Sequence, residues 1–293
     1  MTRPLAYLSL AAIAVVLAGC AASSGGAPPS NGGQSGGATS TPAPSCTPAT
    51  MHTHSANQLT VATDSPAYEP WFVDDKPANG KGFESAVAYA VAKQLGYTRD
   101  QVHWVVASFN SVIAPTPKNF DFDINEVSIT AKRAQVIDFS SGYYDVAQAV
   151  VALKSDKYAN ATSIAGLHGA KLGAQQGTTS FDAINNVIKP GTTPGEYPTN
   201  DLAVQALKNG QLDGLVVDLP TGLYITAAQV KGSKIVGQLR VTGKPEQFGL
   251  VLDHNSPLTS CVTQAVDALR NNGTLADLQK RWLTTAAGAP VLK

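Results

Sequence analysis

Beyond residue 58 the chain alternates short apolar runs with segments whose apolar residues recur every three or four positions. LTVATD (Leu59 to Asp64) is an apolar run ending at an acid and a turn, which predicts a buried strand. In GFESAVAYAVAKQLGY, the residues Phe83, Val87, Ala90, Val91 and Leu95 repeat at helical spacing, and Gly96 stops the helix. QVHWVVASF is strand-like again, and FDFDINEVSI alternates. QAVVALK and KLGAQQG predict strands. TTSFDAINNVIK predicts a helix with Phe181, Ile184, Val187 and Ile188 on one side. DLAVQALKNG predicts a helix capped by Asn200 and stopped by Gly210. LDGLVVD predicts a buried strand ending at Asp218, and KIVGQ and FGLVLD follow as strands. Two helices close the pattern, SPLTSCVTQAVDALR and TLADLQKRWL, the second capped by Thr274 with Lys280 and Arg281 in its last turn. Strands alternate with helices throughout, so the fold class is α/β with mostly parallel sheet. The order strand, Gly turn, helix begins twice, at Leu59 and at Lys171, which predicts two α/β units rather than one.

The first 45 residues follow neither period. MTRPLAYLSLAAIAVVLAGC carries one basic residue, Arg3, and then an apolar run too short to span a bilayer, so residues 1–20 read as a secretory signal. Its end, Leu17-Ala18-Gly19-Cys20, resembles the bacterial lipobox, in which Cys20 becomes the lipid-bearing first residue. That would tether the protein to a membrane without spanning it. Residues 21–45 are Gly, Ser, Ala, Pro and Thr with little else. Such a segment cannot bury enough surface to offset its ordering entropy, and it reads as a flexible spacer.

Composition narrows the function. Hydrophobic residues make up 43% of the 293, enough for a substantial core. Charged residues make up only 14% and the formal net charge is zero, which excludes a basic nucleic-acid surface. No nucleophile elbow, zinc-type cysteine spacing or Walker loop occurs, so neither a catalytic residue nor a cofactor nor a metal is expected. Two cysteines remain after Cys20. Export permits oxidation, so Cys46 and Cys261 either pair, pinning the start of the fold to its C-terminal region, or stay as two thiols.

Ligands of open α/β sheets bind beyond the carboxyl ends of strands. Asp64, Asp218 and the Ser128–Arg133 turn fall at such ends. So does GTTS, where Thr178 and Thr179 and free backbone N–H groups make an anion-receptive corner. The chain thus offers a guanidinium and a helix start for an anion, and carboxylates for a cation. An α-amino acid carries both charges on one carbon, and arginine suits its carboxylate because the planar fork donates two parallel hydrogen bonds. Taken alone, Arg133 also fits a solvated face, and Thr178, Thr179 and Asp218 also fit helix caps.

These elements in this order resemble the amino-acid-binding subfamily of extracellular solute-binding proteins, which feed ABC importers. The likeness runs from Gln58 to Leu283 through VATD, GFESAVAYAVAKQLG, SITAKRAQVIDFSSGYY, LGAQQGTTS, ALKNGQLDGLVVD, FGLVL and NGTLADLQKRWL. It implies the type II periplasmic-binding-protein fold: two Rossmann-like α/β lobes joined by a two-strand hinge, closing on a ligand in the cleft. The implied lobes are 46–150 with 245–293, and 151–244. By position, Arg133 would grip the ligand carboxylate with Ser128 and Thr179, and Asp218 would hold its ammonium. Asp64 would face the ligand side chain, with Tyr68 and Phe109 as aromatic walls. Glu126 departs from the pattern, which expects a small residue there; it either adds a second acid to the site or turns outward. IAPTPKNFDFD departs too and is expected to be looped. The resemblance implies a lipid-anchored, extracytoplasmic, monomeric and non-enzymatic receptor for a polar L-amino acid, working with an ABC permease in the bacterial cell membrane. Acidic Asp64 and Glu126 favour glutamine, asparagine or a basic amino acid. Glutamate would need a cation such as Lys76, Lys81 or Lys118. The alternatives are a sensing module for a signalling partner and a dehydratase-like enzyme using an acid such as Glu126.

Overall fold

The computed structural model describes residues 45–240, 243–283 and 289–293. The expected signal segment with Cys20, and all of the spacer but Ser45, lie outside the described residues. Two five-stranded sheets form. The first takes β1 (Leu59–Thr63), α1 (Phe83–Gln94), β2 (Val102–Val106), α2 (Phe109–Ile113), β3 (Phe122–Asp123) and β4 (Asp138–Val146). The second takes β5 (Gln148–Leu153), β6 (Leu172–Gln175), α3 (Thr179–Ala183), β7 (Gly195–Tyr197), α4 (Asn200–Lys208), β8 (Gly214–Asp218), α5 (Leu219–Tyr224) and β9 (Ser233–Gln238). The chain then returns to the first lobe as β10 (Glu246–Leu252), α6 (Thr259–Asn271) and α7 (Thr274–Trp282).

Strand order is β2-β1-β3-β10-β4 in the first sheet and β7-β6-β8-β5-β9 in the second. The sheets are mixed rather than mostly parallel. In each, the strand entering from the other lobe runs against both of its neighbours: β10 against β3 and β4, and β5 against β8 and β9. The first crossing is at Ala147, between β4 and β5, so the run expected to close the first lobe at residue 150 already belongs to the second sheet. Hydrophobic pattern cannot mark such a change, because β5 is buried almost along its length. The second crossing lies between Gln238 and Glu246.

Each lobe has its own core. The first gathers Trp71, Phe83, Tyr143, Tyr144 and Phe248, with ring centroids between 5.5 and 6.2 Å apart. Gly82 permits this packing. It sits at φ +96°, and a Cβ there would lie 2.3 Å from the Trp71 carbonyl oxygen, so only glycine lets the Trp71 loop meet the start of α1. The predicted caps shift by one residue at two helices. Thr199, not Asn200, caps α4 by accepting from Leu202 N–H at 3.3 Å, and Gly273 rather than Thr274 precedes α7.

The C-terminal end also departs from expectation. Residues through Leu283 pack in the first lobe, but residues 289–293 lie on the second. Val291 pairs with Gln238 of β9, Gln238 N–H donates to Pro290 O at 2.7 Å, and Leu292 N–H donates to Gln238 O at 2.9 Å. Leu292 is buried in the second core, in a recess that a Cβ on Gly237 would fill, 2.7 Å from Leu292 Cγ. Cys46 and Cys261 form a disulfide that joins the start of the described chain to α6.

Candidate ligand-binding cleft

A cavity of about 360 Å³ opens between the lobes, a volume suited to a small molecule. All nine sequence-predicted residues line it: Asp64, Tyr68, Phe109, Glu126, Ser128 and Arg133 from the first lobe, Thr178, Thr179 and Asp218 from the second. Their placement follows from strand ends. Asp64 follows β1, the 126–133 turn follows β3, Thr178 and Thr179 open α3 after β6, and Asp218 ends β8.

Arg133 is 8% exposed and points inward. Thr130 Oγ1 accepts its backbone N–H at 3.1 Å, which fixes the turn that launches it. Its Nη1 donates to Ser128 O at 2.6 Å and its Nη2 donates across the cleft to Gly177 O at 2.9 Å. The guanidinium carbon stands 5.3 Å from the centre of the Phe109 ring. Both hydrogen bonds go to carbonyls and, among the described residues, no carboxylate stands within ion-pair distance, so the guanidinium keeps donors for one.

Other predicted residues have duties of their own. Asp64 accepts from Ser65 N–H at 2.7 Å and from Phe109 N–H at 3.2 Å, anchoring the turn that sets the Phe109 wall. Thr178 caps α3: it accepts from Phe181 N–H at 3.1 Å and donates to Gln175 O at 2.7 Å. Thr179 Oγ1 lies 3.4 Å from Ser128 Oγ across the cleft. The Tyr68 hydroxyl donates to Asp201 at 2.7 Å, also across the cleft. Glu126 does not turn outward: Thr221 Oγ1, on α5, donates to its Oε2 at 2.6 Å and accepts from Trp71 Nε1–H at 2.9 Å. These bonds join the two lobes around the cavity.

Sequence reasoning missed Gln148, Glu246 and Asp201. Gln148 stands at the first crossing, where its Nε2 donates to Asp218 Oδ1 at 2.7 Å and its Oε1 accepts from Ser180 Oγ at 2.6 Å. The signal was one amide opening an otherwise apolar strand. Glu246, at the second crossing, lies 3.3 Å from the same amide nitrogen. Asp201 sits in the first turn of α4, where an acid is ordinary for a helix start.

Acids dominate the site and its floor. Burial pushes the Asp218 carboxyl well above the usual carboxylate range, with Glu246 adding to the effect. Behind the cleft Glu84 is fully buried, and burial pushes its pKa up to about 7 although Tyr143 and the Glu126 N–H bond it. Its Oε2 has no hydrogen-bond partner among the described residues. A carboxyl whose folded pKa is raised stabilises the fold below about pH 4.5, the unfolded value, and that contribution is lost as pH rises through 7. The shift corresponds to on the order of 3 kcal/mol. The ligand-free melting temperature is therefore expected to fall between pH 5 and pH 8, and Glu84→Gln to flatten that slope. Calorimetric melting across the range tests this, and a variant retaining the full slope would contradict it.

Known proteins share this architecture. The match to the model of bacterial extracellular solute-binding proteins, family 3, covers residues 59–285. The chain is 26% identical over 215 residues to an ABC transporter glutamine-binding protein of Bacillus subtilis, covering 71% of this chain and 75% of that protein. It is 28% identical over 240 residues to the L-arginine-binding protein of Pseudomonas aeruginosa, covering 77% and 90%. Among solved structures, an ancestral arginine-binding protein bound to arginine is 30% identical with a TM-score of 0.63, covering 77% of this chain and 97% of that one. The relatives named here are binding proteins, and the two-lobed fold is that of type II periplasmic amino-acid-binding proteins. With strand-end residues from both lobes facing one cavity and the family match spanning both lobes, the chain belongs to the bacterial extracellular solute-binding proteins, family 3.

Proposed function

We propose that the protein is a non-enzymatic receptor that captures a polar L-amino acid outside the cytoplasm and delivers it to an ABC permease. The observation that carries this reading is the placement of Arg133 and Asp218 on opposite lobes of one cleft. Arg133, Ser128 and Thr179 take the ligand carboxylate, and Asp218, set by Gln148, takes the ammonium. Thr178 holds the α3 start beside them. Tyr68 and Phe109 wall the side chain and Asp64 faces it, while Glu126 adds a second acid beside the ammonium. The cavity lining has four carboxylates, Asp64, Glu126, Asp201 and Asp218, against one guanidinium, which favours a cationic or hydrogen-bond-donating side chain. The glutamine- and arginine-binding relatives support the same ligand class. Lobe closure on the zwitterion is what the permease reads. The receptor works as a monomer, tethered to the bacterial cell membrane through lipid on Cys20.

A thermal-shift screen against the twenty amino acids tests this. A ligand that binds only the folded state at a hundredfold over its Kd stabilises by about 2.7 kcal/mol. Arginine, lysine, glutamine or asparagine is expected to raise the midpoint, and glutamate to leave it unmoved. No shift with any of the twenty would sink the reading.

A further inference from the structure

Glu126 occupies backbone that glutamate does not favour. Its φ is +53°, in the left-handed region where a Cβ crowds the following carbonyl. Strain of this kind persists where the surroundings over-determine it. Here Glu84 Oε1 accepts the Glu126 N–H at 2.8 Å and holds the turn. The reward is the direction of the side chain. It lines the cleft, and its Oε2 takes the Thr221 hydroxyl of the other lobe, which in turn takes the Trp71 indole N–H. That three-residue relay runs from the first lobe to the second and back, so it exists only with the lobes together.

The groups around Glu126 explain what the relay does. Glu84 faces it from α1, Asp218 from the end of β8, Tyr143 and Tyr144 from β4, Thr221 from α5, and Trp71 from the loop before α1. None is a cation. Among the described residues no basic side chain lies within ion-pair distance of Glu84, Glu126 or Asp218. Glu246 and Arg133 face Asp218 and Asp123 faces Glu84, so one guanidinium, beyond ion-pair distance, stands against this set of acids, and Glu84, Glu126 and Asp218 resist ionising together. Glu84 Oε2, fully buried and without a hydrogen-bond partner among the described residues, is where a proton is needed most. Burial first, then Glu84 and Asp218, push the Glu126 carboxyl well above its ordinary range.

We propose that Glu126 is a proton-coupled latch: the Glu84–Glu126–Asp218 cluster holds a proton while the cleft is empty and closed, and releases it to solvent when a ligand ammonium enters between Glu126 and Asp218. This rests on the amino-acid-binding reading and adds its regulation. The sign follows from linkage. Binding releases a proton, so affinity is full above the pKa of the empty cluster and is lost as pH falls through it. One proton corresponds to a Kd that rises up to about tenfold per pH unit.

Titration calorimetry with L-arginine and with L-glutamine, from pH 5.5 to 8.0 in two buffers of unlike ionisation heat that both titrate at each pH, tests the latch. The two buffers differ in ionisation heat and so count protons. The expected result is release approaching one proton per amino acid bound, with Kd rising on acidification. Glu126→Gln should abolish both effects. Glu126→Gly, which suits the same backbone angle and so stays folded, should do the same. A pH-independent Kd with equal heats in both buffers would overturn the latch while leaving the receptor reading intact. So would a pH dependence retained in both variants. Absence of binding by any of the twenty amino acids would overturn the two together.

Discussion

Arg133→Ala is expected to weaken amino-acid binding at least thirtyfold. The guanidinium is almost wholly buried, its turn is fixed by Thr130, and its two recorded hydrogen bonds reach backbone oxygens on either side of the cleft. On the proposed reading alanine leaves the ligand carboxylate without its bidentate donor, and it removes the bond to Gly177 that helps hold the lobes together. Truncating one partner of a buried charged pair costs about 2–5 kcal/mol, and thirtyfold is about 2 kcal/mol. Arg133→Lys should recover only part of the loss, since an ammonium keeps the charge but not the planar fork. Calorimetry on both variants measures this. Near-normal affinity in the alanine variant would mean that the guanidinium does not hold the ligand. The ligand-free protein should lose less, because the same residue is a buried charge with no carboxylate at ion-pair distance among the described residues.

The second large effect belongs to the disulfide. Cys46 and Cys261 are separated by 215 residues, so the bond closes a loop around most of the fold. Chain-entropy reasoning assigns such a loop roughly 5 kcal/mol. Replacing both cysteines by serine, or adding reductant, is expected to shift the denaturation midpoint strongly downward. Ligand affinity should change little, because neither cysteine lines the cleft. Denaturation curves with and without reductant, with thiol titration of the unfolded chain, measure this. Superimposable curves would show that the bond does not restrain the unfolded state.

Much of this was legible in the sequence because strand ends announce themselves. An apolar run that stops at Asp64 or Asp218 puts a carboxylate at the mouth of a sheet, and a Gly turn before Thr178 puts a helix start beside it. What escaped notice has physical reasons. Gln148 and Glu246 act on the site from the crossings, and nothing in periodicity says where a buried strand leaves one sheet for another. Thr221 touches Glu126 only because the lobes meet, a relation between residues far apart in the chain. Glu126 stood out as a departure, but its left-handed backbone, and so its direction, is set by Glu84 rather than by its neighbours in sequence. The C-terminal pairing with β9 was not legible because a few residues carry no period, and Leu292 is held by a glycine recess on that strand.

The return of residues 289–293 to the second lobe has a practical consequence. Cys46 is fastened to the first lobe and Lys293 hydrogen-bonds Thr162 and Ile164 on the second, so the two ends of the folded body ride on different halves. A donor dye at Ser45 and an acceptor at Lys293 would report hinge angle by energy transfer, without any label inserted into the body of either half.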